Sequence, residues 1–179
     1  VARRDGDTAV DREGVELTVA SVGLDWRSAR ARVSGDIGYQ NHKLSETRTN
    51  VTLGNAVTVV PRAPSNETNW AQRWTYSNER DTFGTLRAEY DVNDRVTVYG
   101  AYGMRRTKES NSLAGLTVTN GATGDGTMAR FDNSREDKVD TGEIGARAQV
   151  STGPVNHALV LGFSRFDLDV ANAYGMQTG

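Results

Sequence analysis

Cysteine is absent from the 179 residues, which excludes disulfides and thiolate-based metal or redox sites. Histidine occurs twice, at His42 and His157. The two lie far apart, and neither has a second ligand at helical or tight-turn spacing, so no metal site is expected. No charge dominates. A net charge of -2 gives no electrostatic footprint for nucleic acid, and the charges form no long single-sign block. No apolar run approaches the roughly 20 residues of a membrane-crossing helix. No apolar stripe of helical period is sustained either.

Catalytic signatures are equally scarce. Gly121-Ala122-Thr123-Gly124-Asp125-Gly126 lacks the strand-to-helix setting of a dinucleotide fingerprint. No serine stands in a nucleophile elbow. Asp5-Gly6-Asp7 and Gly124-Asp125-Gly126 have calcium-loop character without the remaining ligands, and read as turns. The expectation is a protein that is not an enzyme and carries no cofactor. The chain also opens on Val1-Ala2-Arg3-Arg4, with no Met and no apolar leader core. For a soluble protein that opening would mean the cytoplasm; for a segment of a longer protein it means only that the N-terminus lies outside the segment.

The composition fits a packed soluble core poorly. Only 36% of residues are hydrophobic, and the mean hydropathy is -0.58. Disorder is the first alternative, but three Trp, six Tyr and four Phe and long stretches of period-2 alternation argue against it. A transmembrane β-barrel reconciles the two. Alternate strand residues face lipid, the others face a wet lumen, and the whole reads as hydrophilic.

The alternation is plainest over Ala31 to Leu44. Val33, Gly35, Ile37 and Tyr39 fall on one face, and Arg32, Ser34, Asp36, Gly38 and Gln40 on the other. Tyr76 to Val92 repeats the pattern, with Leu86, Ala88, Tyr90 and Val92 opposite Thr85, Arg87, Glu89 and Asp91. Further strands are predicted over Val1 to Ala9, Val15 to Trp26, Val96 to Arg106, Val139 to Ser151 and Val155 to Val170, about seven in all. Ser45 to Thr75 and Ser110 to Lys138 read as long loops, and Ala171 to Gly179 as a trailing end.

The connections alternate in length. Those near Ser28, Asn93 and Gly153 are short, and those near Asp11, Thr58 and Gly124 are longer. In an up-and-down meander, alternate connections share one end of the sheet. Short turns at one end and long loops at the other are the pattern of outer-membrane barrels. The mid-strand charges Arg32, Asp36, Arg87, Glu89, Glu143 and Arg147 suit a wet lumen, since a dry core would have to neutralise each. A one-sided solvated sheet tolerates them equally well.

Four aromatics fit membrane girdles: Trp26 and Tyr90 just before tight turns, Tyr39 and Tyr102 toward the long-loop ends. The competing role is cross-strand packing. In the long-loop region, Trp70, Trp74 and Tyr76 are the candidate ligand-contact residues. Bracing the loop is the competing role there.

Several segments resemble the barrel of the TonB-dependent siderophore receptors. The run Trp74-Thr75-Tyr76-Ser77-Asn78-Glu79-Arg80-Asp81-Thr82-Phe83-Gly84-Thr85-Leu86-Arg87-Ala88-Glu89-Tyr90-Asp91 looks like their central strands, as does Arg3-Arg4-Asp5-Gly6-Asp7-Thr8-Ala9-Val10-Asp11. Arg130-Phe131-Asp132-Asn133, Thr141-Gly142-Glu143-Ile144-Gly145-Ala146-Arg147 and Asn172-Ala173-Tyr174 are similar to later segments. The resemblance implies an all-β, antiparallel up-and-down meander. It would form part of a transmembrane barrel of about 22 strands in the bacterial outer membrane, lacking the plug domain and the terminal strands. It also implies a receptor that imports ferric siderophores, contacts outer-membrane lipid, and meets TonB through the missing plug region. Residues 1–179 would then be barrel wall and extracellular loops. The alternative is a soluble or surface-exposed β-sheet module for binding or adhesion. Such a module must bury Val33, Ile37, Tyr39, Leu86, Ala88 and Tyr90 against a second layer, whereas a barrel turns them outward.

Overall fold

The computed structural model describes residues 1–178. Among them the chain forms eight strands: β1 (Ala2–Asp7), β2 (Gly14–Arg27), β3 (Ala31–Ser45), β4 (Val51–Leu53), β5 (Tyr76–Asn93), β6 (Val96–Val118), β7 (Gly126–Thr152) and β8 (Val155–Thr178). All belong to one sheet, ordered β1-β2-β3-β5-β6-β7-β8, and each neighbouring pair on that path is antiparallel. β4 stands off the path and pairs in parallel with the far end of β6. The fold is the expected all-β meander.

The connection lengths alternate as read from the sequence. Residues 28–30, 94–95 and 153–154 make the short turns at one end, and residues 8–13, 46–75 and 119–125 the longer connections at the other. Local chemistry closes the short turns. The Asn93 side-chain oxygen accepts from the backbone N–H groups of Arg95 and Val96, at 2.9 and 3.0 Å. Ser28 Oγ accepts from the N–H of Ala31 at 3.0 Å. Gly153 turns the last hairpin with φ of 59°, a left-handed conformation that costs glycine nothing.

Three expectations need correction. Ser110 to Lys138 is not a loop: β6 continues to Val118, β7 begins at Gly126, and only 119–125 lies between them. The two strands pair continuously from Val96↔Ala148 to Val118↔Gly126. From Arg106 to Ser112, paired with Asp132 to Lys138, both faces of this hairpin are polar, so the alternation fades while the ladder keeps the strands extended. The stretch from Ser45 to Thr75 contains β4, an eighth strand where about seven were expected. The end from Ala171 does not trail off, because β8 runs to Thr178.

Register assigns every strand residue to a face. The cross-strand row Val22↔Ile37↔Gly84↔Met104 and the row Trp26↔Val33↔Ala88↔Gly100↔Ile144↔Phe163 lie on the same side. With Leu24, Leu86, Tyr90, Val98, Ala146 and Leu161 they form an apolar band next to the short turns. No second layer covers it among the described residues, and Leu24, Ile144 and Leu161 are 73%, 65% and 78% exposed. Buried apolar side chains are few: Val15, Ala71, Ala114 and Val118, toward the long-loop end. The soluble-module alternative required Ile37, Leu86 and Tyr90 to be buried, and all three are exposed. The sheet carries its apolar side on the surface.

Candidate functional site

The face opposite the apolar band is lined with charge. Glu89 on β5 sits between three guanidinium groups, those of Arg32 at 3.1 Å, Arg87 at 2.9 Å and Arg147 at 2.8 Å. Arg32 also grips Asp91 with two N–H donors, at 2.7 and 2.8 Å, and Thr97 Oγ1 donates to the same carboxylate at 2.7 Å. Arg87 and Arg147 each stand over the Tyr99 ring, 5.0 and 5.5 Å from its centroid. One network thus ties β3, β5, β6 and β7 together near the short turns. Of the six mid-strand charges picked out in the sequence, Arg32, Arg87, Glu89 and Arg147 belong to this network. Asp36 and Glu143 share its face.

Glycines admit the aromatic rings on this face. Tyr99 pairs directly with Gly145, where an added Cβ would lie 2.5 Å from the ring. Phe83 pairs with Gly38, where a Cβ would come within 2.2 Å of the ring. Rings lying across glycine gaps restore the packing that a missing side chain forfeits.

The long-loop end is braced from below. Asn69 is buried and holds three backbone groups: its amide donates to the carbonyls of Asp11 and Glu46, at 2.7 and 2.8 Å, and its oxygen accepts from the N–H of Ala71 at 2.7 Å. Thr75 is 2% exposed and donates to the Gln72 carbonyl at 2.8 Å. Arg48 donates to the carbonyls of Asn66 and Thr68, at 3.0 and 2.8 Å, and lies 4.7 Å above the Trp70 ring. Thr49 Oγ1 donates to the Ala114 carbonyl at 2.6 Å, and β4 then continues alongside β6. The 46–75 segment is therefore a built structure.

The sequence-predicted site residues separate. Trp70 is half-buried beneath Arg48. Trp74 is 39% exposed, with the Arg130 guanidinium 4.8 Å over its ring. Arg130, and after it Ser112, hold the Asp132 carboxyl below the usual carboxylate range. Tyr76 begins β5 on the side of the apolar band, its hydroxyl 3.3 Å from Ser110 Oγ. Trp26, Tyr39, Tyr90 and Tyr102 all lie on the apolar face and are solvent-exposed. His42 and His157 fall on opposite faces of the sheet, on β3 and β8, so the fold does not bring them together. Among the described residues no group of three or more His, Cys, Asp or Glu could hold a metal. Sequence reasoning missed Arg48, Asn69 and Thr75. Each is one polar residue in a polar run, and only the fold reveals the backbone groups it serves.

Comparisons with known proteins agree with this geometry. No family model matches the chain. It is 37% identical over 176 residues to the ferrichrome receptor FcuA of Yersinia enterocolitica, covering 98% of this chain and 23% of that receptor. It superimposes on the ferric preacinetobactin receptor BauA of Acinetobacter baumannii with a TM-score of 0.92 and 26% identity, over 97% of this chain and 26% of BauA. FpvA of P. aeruginosa, solved with bound pyoverdine, shares the fold at a TM-score of 0.82 and 12% identity, over 96% of this chain and 23% of FpvA. The chain spans about a quarter of the length of these relatives. FcuA and BauA are both siderophore receptors.

Proposed function

We propose, for a chain that is a segment of the barrel of a TonB-dependent siderophore receptor of the outer membrane, that its parent imports ferric siderophores and that this segment supplies wall and mouth. The observation that carries the reading is the two-sidedness of a single sheet. One face is an uncovered apolar band and the other a part-exposed ion-pair network. Lipid on one side and a wet lumen on the other satisfy both. The short turns then face the periplasm and the braced loops face the medium. The plug and the TonB contact belong to the parent outside these residues, and import energy enters there.

Trp26 and Tyr90 mark the lower membrane boundary in this reading, and Tyr39 and Tyr102 the upper one. Of the loop aromatics Trp70, Trp74 and Tyr76, Trp74 has the most accessible ring and is the foremost candidate to touch a siderophore. Trp70, under Arg48, serves chiefly as a brace. No residue is assigned to catalysis.

The test is uptake of iron-55 by cells whose only siderophore receptor is the full-length parent. Ferrichrome and preacinetobactin, the ligands named for FcuA and BauA, are the first two complexes to supply. TonB-dependent uptake of either supports the reading. Failure of a range of ferric siderophores to be taken up, with the receptor present in the outer membrane, overturns it.

A further inference from the structure

Asn120 opens the turn at the tip of the β6–β7 hairpin and is the one asparagine in the sequence followed by glycine. The residue is exposed, and its Oδ1 accepts from the N–H groups of Ala122 and Thr123, at 2.9 and 3.3 Å. The Asn120 carbonyl accepts from the Gly124 N–H at 2.8 Å. Between these bonds, the N–H of Gly121 meets no acceptor among the described residues.

Three conditions for cyclisation of this pair meet in the turn. Attack on the side-chain amide carbon puts negative charge on its oxygen, and the two N–H groups on Oδ1 are placed to receive that charge. The attacking atom is the Gly121 nitrogen, which has no hydrogen bond to give up, and glycine has no side chain to obstruct the approach. Water reaches the turn because it is exposed. Asn93 has the same cap without the glycine. Its Oδ1 accepts from Arg95 and Val96, at 2.9 and 3.0 Å, but the next residue is Asp94.

We propose that Asn120 is a covalent modification site, converted in the folded protein to aspartate and isoaspartate without an enzyme. Hydroxide takes the Gly121 amide proton, and the nitrogen bonds to Asn120 Cγ. The Cγ–Nδ2 bond breaks, and Nδ2 leaves as ammonia with a proton from water. A water molecule then opens the cyclic imide. Opening at Cγ gives aspartate on an unchanged main chain. Opening at the backbone carbonyl gives isoaspartate, whose main chain runs through Cβ and Cγ. Aspartate keeps an acceptor for the cap. Isoaspartate displaces Gly121, which lies so close to the 46–75 segment that a Cβ there would stand 1.9 Å from the Val59 carbonyl oxygen. The modification thereby loosens the hairpin tip from that segment.

The experiment incubates the folded full-length receptor in detergent in mildly alkaline buffer. Each asparagine is followed by peptide mass mapping, with isoaspartate distinguished from aspartate by its fragmentation. The expected result is conversion at Asn120 at least tenfold faster than at Asn93, with both products formed and the rate falling in mildly acidic buffer. Cleavage within 46–75 by a protease should rise as isoaspartate accumulates. Asn120→Ser, which keeps a capping oxygen and lacks the amide, should gain no carboxylate at that position and no added cleavage on incubation. Conversion at Asn120 no faster than at Asn93 overturns the proposal. So does conversion that begins only after unfolding in urea, which would show that the turn shields the amide. Both of these comparisons use the unmodified chain, so neither depends on a variant that folds. Isoaspartate without faster cleavage overturns the loosening of the 46–75 segment.

Discussion

Arg12 and Glu46, the only non-glycine residues with left-handed backbone among those described, are bonded to each other at 2.9 Å. Their φ angles are 63° and 50°. One residue turns the chain between β1 and β2, and the other turns it out of β3 into the long connection. Neither conformation is favoured for a residue with a Cβ. The ion pair and the bonds of Asn69 to Asp11 and Glu46 hold both corners at once.

Asn69→Ala should therefore free the 46–75 segment without melting the sheet. It leaves two carbonyls and an N–H without their partner, a local cost of about 1–3 kcal/mol. Limited proteolysis of the folded receptor should cut within 46–75 faster than in the unmodified protein, with the melting temperature of the barrel little changed. Equal cutting rates would show that Asn69 does not brace the loop.

Gly145→Ala should destabilise the wall. The added methyl would meet the Tyr99 ring at 2.5 Å and the Leu161 carbonyl oxygen at 2.7 Å. Overpacking of this kind costs about 1–3 kcal/mol. Thermal unfolding in detergent should shift down, and Tyr99→Ala in the same chain should restore only part of the loss, because the carbonyl still obstructs. An unshifted transition would mean that the ring moves aside freely.

The two sides of the sheet were largely legible in the sequence, and the ends of the long hairpin were not. Strict alternation over Ala31 to Leu44 and Tyr76 to Val92 placed Ile37 and Leu86 on one face and Arg32, Arg87 and Glu89 on the other, because lipid and water impose opposite demands on neighbouring residues. From Ser110 to Lys138 that contrast is lost: Ser110 to Ser112 and Asp132 to Lys138 are polar on both faces, and the residues between are rich in Gly and Thr, so the stretch reads as loop. Only the ladder between β6 and β7 shows them to be strand. β4 escaped notice for a related reason. Three residues, Val51–Leu53, are too few for a period, and their partner on β6 is 65 positions away.

Glu89→Gln should loosen the network on the charged face. The carboxylate meets three arginines, and its loss leaves Arg87 and Arg147 with one fewer counter-charge around Tyr99. In a hydrated setting the effect is about 1 kcal/mol. The melting temperature should fall most at low salt and converge with the unmodified protein at high salt. A deficit independent of salt would point to packing in place of charge.

Trp74→Ala and Trp70→Ala should separate recognition from bracing. Trp74→Ala is expected to weaken ferric-siderophore binding by the full-length receptor several-fold and leave protease resistance unchanged. Trp70→Ala, which removes the platform under Arg48, should speed cleavage of the 46–75 segment. Binding titrations together with the proteolysis assay read both. Equal effects of the two variants on binding would remove the special role given to Trp74.

The most direct test of the account is a spin-label scan along β3 in the full-length receptor reconstituted in bilayers. The segment contributes no cysteine of its own, so, with any in the rest of the receptor replaced, a single cysteine placed at each of positions 33 to 37 and at 39 marks one site. Collision with dissolved oxygen reports lipid, and collision with a water-soluble nickel complex reports water. The account predicts a strict alternation: Val33, Gly35, Ile37 and Tyr39 exposed to lipid, Ser34 and Asp36 exposed to water. Water exposure at every position, or protection of the odd positions from both reagents, would contradict it.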